Sequence, residues 1–198
     1  MIAVIAILSG ILLPTAGAAR IAILKAETRT RFAQWSAACG QFRQEYGYYP
    51  VLGTNGKLWT AADTLRFVRT LGGRNPDGTA VEAAADLNGN LKRLAFYTFS
   101  EADFKDPDRP DGGADFSGNE LISDAFGNTE IGVLADRNGD EIVKEADDGA
   151  AVPVAGIRSG RSFAPSSADI PVAGVRAGAL FYSAGRGESA SDLILSWR

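Results

Sequence analysis

Residues 136–147 of the chain read Asp-Arg-Asn-Gly-Asp-Glu-Ile-Val-Lys-Glu-Ala-Asp. Asp136, Asn138 and Asp140 place side-chain oxygens at loop positions 1, 3 and 5, the Ile142 carbonyl falls at position 7, and Asp147 falls at position 12, where a calcium loop sets its closing carboxylate. Hard oxygen donors at alternating positions suit Ca²⁺. Three features depart from that pattern: Glu141 stands where the turn glycine belongs, Asp147 is shorter than the usual Glu, and no helix is predicted on either side. The competing reading is a polar hairpin turning at Asn138-Gly139.

Little other chemistry is open to this composition. The 198 residues include no histidine and a single cysteine, Cys39. Imidazole general bases, Ser-His-Asp and Cys-His nucleophiles, His-ligated zinc, Cys₄ sites and internal disulfides are all excluded. There is no G-x-S-x-G, P-loop or Ser-x-x-Lys motif, and paired carboxylates such as Asp147-Asp148 are too common to indicate glycosidase chemistry, so no enzyme is expected. A net charge of −4 gives no basic field for nucleic acid. The span 101–148 carries 15 acidic and four basic residues and reads as a solvated face. Asp86–Asn90 reads as a turn, Cys39 as core, and Tyr46, Tyr48 and Tyr49 as an aromatic cluster anchoring a helix end.

The elements that must carry these residues divide by charge. Residues 1–19 have none, residues 20–50 have five basic against two acidic side chains, and the rest of the chain is net −7. The uncharged start is close to the ~20 apolar residues that span a bilayer's ~30 Å core, with Pro14 inside it. It lacks the basic n-region of a cleaved signal peptide. From Ile21 the larger side chains recur at Leu24, Thr28, Phe32, Trp35, Cys39, Phe42 and Tyr46, one stripe of a 3.6-period helix. Lys25, Glu27, Arg29, Arg31, Gln34, Gln41 and Glu45 fall on the face expected to be solvated, and Gly47 and Pro50 stop the helix. If continuous, residues 2–46 would form a rod of about 65 Å at ~1.5 Å per residue.

After residue 47 a second helix is predicted over Trp59–Leu71, capped by Thr60 and stopped by Gly72-Gly73. Residues 74–93 are turn-rich. Strand-length runs follow at Leu94–Phe99, Glu120–Ser123, Thr129–Ala135, Val152–Ile157, Ala177–Ser183 and Asp192–Trp197. The fold class is α+β: a long N-terminal helix, half membrane-type and half amphipathic, packed on an antiparallel sheet, with a membrane-anchoring helix at 1–46 and a head at 47–198.

In this order the blocks resemble type IV pilin-like proteins, most closely the major pseudopilin of type II secretion systems. The apolar IAVIAILSGILLP start, EYGYYP at Glu45–Pro50, LAFYTF at Leu94–Phe99, SDAFGN at Ser123–Asn128, DRNGDEI at Asp136–Ile142 and the terminal FYSAG…SDLILSW at Phe181–Trp197 carry the likeness. Against the family pattern the sequence opens inside the expected mature helix, so the basic leader, its cleavage glycine and the buried glutamate are not in it, and the expectation is either that Met1 is an internal methionine taken as the start or that the sequence is truncated.

The resemblance implies a structural subunit anchored singly in the bacterial inner membrane with its head in the periplasm. Such a subunit self-associates into a helical filament alongside other pseudopilins and inner-membrane assembly proteins, with membrane lipid around it before assembly. It also implies a calcium ion in the loop before the final strand, where Ser183 and Asp192 remain and Arg186 stands near an expected aspartate. The alternative, from a different class, is an exported or tethered calcium-dependent binding module whose apolar start is only a signal or tether.

Overall fold

A computed structural model of the chain describes residues 2–109, 113, 116 and 118–198, and the side chains of residues 2–16, 84 and 85 lie outside that description. Helix α1 runs unbroken over Ile2–Tyr46 and ends where Gly47, at φ +83°, turns its N–H onto the Arg43 carbonyl at 2.7 Å. The amphipathic stripe behaves as its spacing requires: Thr28, Phe32, Trp35, Cys39 and Phe42 are buried, while Ile21, Leu24 and Tyr46 are half-buried. Arg31 departs from the sequence reading. It is 7% exposed, because its aliphatic stem lies along the head while its guanidinium finds carboxylate and carbonyl partners there. Among the described residues no helix is long and apolar enough to cross a membrane. The membrane-type segment read from the sequence falls mostly on residues whose side chains lie outside the description.

Helix α2, Ala61–Gly72, starts at Thr60, whose hydroxyl accepts the Asp63 N–H at 3.1 Å, and stops at the left-handed Gly73. Among the described residues ten short strands occur in chain order: β1 Lys57–Leu58, β2 Phe104–Lys105, β3 Leu121–Ile122, β4 Ile131–Ala135, β5 Ile142–Val143, β6 Val154–Ala155, β7 Ser162–Phe163, β8 Val175–Arg176, β9 Ala179–Ser183 and β10 Ile194–Leu195. A four-stranded antiparallel sheet in the order β1-β4-β9-β10 forms the centre, and β2-β3, β5-β8 and β6-β7 pair as ribbons beside it. A single-turn helix, α3, covers Glu145–Asp148.

The core lies between α1 and this sheet. Trp35, fully buried, meets Phe67 of α2 and Phe181 of β9 edge-on at 5.1 and 5.6 Å. Each such ring contributes about 1.5–3 kcal/mol by burial, and each aromatic pair adds ~1 kcal/mol. Polar bonds fix the rod on the head as well: Ser36 Oγ donates to the Ala179 carbonyl at 2.8 Å, and Thr28 Oγ1 accepts the Ala125 N–H at 3.1 Å. Gly132 on β4 sits under the Tyr182 ring directly across the sheet, where any Cβ would collide with the aromatic face.

Two further expectations are corrected. Leu94–Phe99 forms no strand. Its Phe96 and Tyr97 N–H groups instead bond the Leu71 carbonyl at the end of α2, and Phe96, Tyr97 and Phe99 pack on the core from that position. The acidic span is not simply a solvated face either, because Asp103, Asp106, Glu120, Asp124, Asp136 and Asp148 are all buried. Asp124, Asp136 and Asp148 accept backbone N–H groups, which lets a loop-rich head satisfy its main chain without long strands.

Candidate functional site

The loop joining β4 to β5 holds Asp136, Asn138 and Asp140 and runs into Ile142, the first residue of β5, and it is organised by its own side chains. Asp136 accepts the Gly139 and Glu141 N–H groups, each at 2.7 Å. Asn138 Oδ1 accepts from Asp140 N–H and Asp140 Oδ1 from Ile142 N–H, both at 2.9 Å. Glu141 takes φ +65°, the left-handed conformation that the missing glycine would have adopted freely. Arg43 of α1 reaches across to hold that strained residue, with Nη1 2.8 Å from the Glu141 carboxylate and Nη2 2.8 Å from the Gly139 carbonyl. The hairpin alternative fails as well: β4 pairs with β9 and β5 with β8, so the loop joins two separate sheets.

The loop is closed by Asp148, one residue beyond the expected Asp147. Its oxygens accept the Arg137 N–H at 2.7 Å and the Lys144 N–H at 2.9 Å. Asp147 instead faces the Lys144 ammonium at 3.6 Å, and the same ammonium lies 3.1 Å from Asp140. The Ile142 N–H first, and then Lys144, hold the Asp140 carboxyl below the ordinary aspartate range, while Asp140 raises the lysine in turn. Beside the loop a cavity of about 390 Å³ is lined by Tyr48, Tyr49, Leu52 and Ala150 together with Asp136 and Asp148.

The second region joins the 123–128 turn to the end of β9. Asp124 accepts the Phe126 and Asn128 N–H groups at 2.9 Å, and Asn128 Nδ2 and the Ser183 hydroxyl at 2.7 Å. Burial pushes its carboxyl upward, and those hydrogen bonds oppose the shift. Asn128 also donates to the Gly185 carbonyl at 2.7 Å. Asp192 lies on a different turn and caps the 190–192 segment by accepting the Glu188 and Ser189 N–H groups at 3.1 Å. Ser183 and Asp192 are thus tied to different partners, and Arg186 lies beside Glu188 at 2.9 Å.

Calcium takes about six to eight oxygens at ~2.3–2.6 Å. Among the described residues no group of three or more acidic or cysteine side chains converges. In the first loop, both oxygens of Asp136 are committed to backbone N–H groups and an ammonium stands between Asp140 and Asp147. In the second, Ser183 donates to Asp124 while Asp192 accepts the Glu188 and Ser189 N–H groups. As folded, each of these carboxylates already has protein partners. Sequence reasoning passed over Lys144, although its spacing of four from Asp140 and three from Asp147 is a legible signal. Asp124 and Asp148 left no such mark.

Cys39 is buried within α1's packed face, and desolvation pushes its thiol far above the ordinary range, which removes it as a nucleophile. No family model, curated protein or solved structure matches the chain.

Proposed function

We propose that the chain is a structural subunit of a pilus-like filament, of the pseudopilus kind that serves type II protein secretion. In this reading the apolar start of α1 holds it in a bacterial inner membrane until assembly, with the head on the periplasmic side. The observation that carries the reading is α1 itself: one 45-residue helix whose later half is the central core element of an α+β head, while Gly17–Arg20 stand exposed beyond it. A rod built into its own head cannot shift relative to it, so pulling or stacking the rods moves the heads as rigid bodies.

Lipid and a bundle of apolar helices are similarly nonpolar, so transfer from membrane to filament turns on close packing, which small residues favour. Residues 1–19 include Ala3, Ala6, Gly10, Ala16, Gly17, Ala18 and Ala19. Contacts that are heterologous and do not close on themselves extend into a fibre. With no histidine in the chain and its one thiol buried, the role is mechanical rather than catalytic.

The test uses the full chain with Cys39→Ser and two introduced cysteines, at exposed Ala26 and Ala37, so that each subunit can form a disulfide with each of two neighbours. Membrane fractionation and oxidative crosslinking should give membrane-associated protein and a ladder of head-to-tail oligomers. A monomer found wholly in the soluble fraction would overturn the reading.

A further inference from the structure

We propose that the foot of the head carries a recognition site for the phosphate of an anionic lipid headgroup, formed by Lys25 and Arg29 of α1 with Arg198. The inference rests on the membrane-anchored reading above and specifies what the anchored subunit binds. The three cations line one cleft of about 210 Å³, together with Asp169, Ser191 and Leu193. That is the room of about seven waters at ~30 Å³ each, enough for a phosphate group.

Among the described residues, Asp169 is the one carboxylate side chain lining the cleft. It is already engaged, accepting Arg198 Nη1 at 2.6 Å, the Ser166 N–H at 2.8 Å and the Ser166 hydroxyl at 2.6 Å. Arg198 also donates to the Ala168 carbonyl, so its guanidinium is held in place at the cleft wall. Among the described residues, Lys25 and Arg29 have no ion-pair partner. Like charges one helical turn apart destabilise a helix, and an anion placed between them reverses the sign of that interaction.

Position along the rod selects the source of the anion. Arg20 is the first charged residue after the uncharged start. Lys25 and Arg29 follow it by about 7.5 and 13.5 Å at ~1.5 Å per residue. Helical side chains lean toward the N-terminus, so both long stems point back toward the membrane end of the rod. A bilayer's headgroup layer adds roughly 5–8 Å to each side of its hydrocarbon core, which brings the cleft opening within reach of lipid phosphates. The acidic bulk of the head, net −7 beyond residue 50, would be repelled by the same surface, and this orients the molecule foot-down.

The experiment floats the full chain with vesicles of phosphatidylcholine alone and of phosphatidylcholine mixed with phosphatidylglycerol. Wild type is compared with Lys25→Gln/Arg29→Gln and with the charge-preserving Lys25→Arg/Arg29→Lys. Wild type should prefer the anionic vesicles in a salt-sensitive manner. The Gln pair should lose about 25-fold of that preference, at roughly five-fold per cation removed, and the charge-preserving pair should retain it. Equal flotation with both vesicles overturns the headgroup site and leaves the anchor standing. No flotation with either overturns the anchor as well. Preference undiminished in the Gln pair removes these residues from the site. A melting temperature raised by inorganic phosphate without any lipid preference overturns the membrane source, and oligomers lost from the Gln pair without a change in lipid preference would assign the cations to a protein contact.

Discussion

Arg31 and Asp103 offer the sharpest test of how the rod is fixed to the head. The guanidinium Nε lies 3.1 Å from the carboxylate, with side-chain exposures of 8% and 3%. Removing Asp103 as Asp103→Asn leaves Arg31 with the Ser123 carbonyl at 2.7 Å and with Glu27, which is half-exposed and therefore a weak partner. Removing Arg31 as Arg31→Met leaves Asp103 with the Ser100 N–H at 2.8 Å, the Ser100 hydroxyl at 3.1 Å and the Tyr97 hydroxyl at 3.2 Å. Breaking a buried pair costs about 3–5 kcal/mol, and these residual bonds place each single substitution near ~3 kcal/mol. For a domain of this size that lowers the melting temperature by roughly 6–12 °C. The double substitution removes both charges and should cost little more than either single one, giving a coupling of about 2–3 kcal/mol in a double-mutant cycle. Thermal melting of the detergent-solubilised full chain, followed by near-UV circular dichroism, provides the measurement. Single losses below ~1 kcal/mol, or additivity within ~0.5 kcal/mol, would show the pair to be solvated and the anchoring argument to be mistaken.

Further outcomes follow from individual contacts. Wild-type melting should be indifferent to calcium or chelator, whereas Lys144→Met, which frees Asp140 and Asp147, should melt earlier in chelator and recover with calcium; a wild-type rise with calcium refutes the assignment of Lys144 as the loop's cation. The folded-state pKa of Asp140 is depressed, so its contribution is present above the ordinary value of 3.8 and is lost as pH falls through the lower folded value. Asp140→Asn should therefore melt below wild type at neutral pH, and the two curves should converge in strong acid. Gly132→Ala drives a methyl into the Tyr182 ring and should cost about 1–3 kcal/mol by urea unfolding; no loss would contradict the tight cross-strand contact. Cys39 should react with iodoacetamide only after denaturation, and prompt labelling of the native chain would contradict its burial.

The parts legible in the sequence were those encoded locally. The stripe from Thr28 to Phe42 and the Thr60–Gly73 caps depend on spacing and on single residue types, and both form as read. The longer strands were visible as apolar runs, but the two-residue strands at 57–58, 104–105, 142–143, 162–163 and 175–176 were not, since strands so short owe their existence to tertiary neighbours. Arg31 was assigned to the wrong environment because helical periodicity gives an angle around the axis and not how far the head wraps it. The loop chemistry was half legible. The Asp136–Asp140 spacing did produce a built loop, but the choice between metal and lysine depends on Lys144 and Asp148 meeting it in space, which the residue pattern alone does not settle.

The Ser36–Ala179 bond joins residues 143 positions apart, and Phe181, on the strand that covers Trp35, comes later still. On a ribosome adding about 5–20 residues per second, the aromatic stripe emerges on the order of ten seconds before the strand that shelters it. Throughout that interval Phe32, Trp35 and Phe42 lack the partners that β9 supplies, and folding of this core can finish only once β9 has been made. A product cut short before β9 would therefore display a long greasy helix to chaperones and proteases, which gives the cell a simple means of discarding incomplete copies.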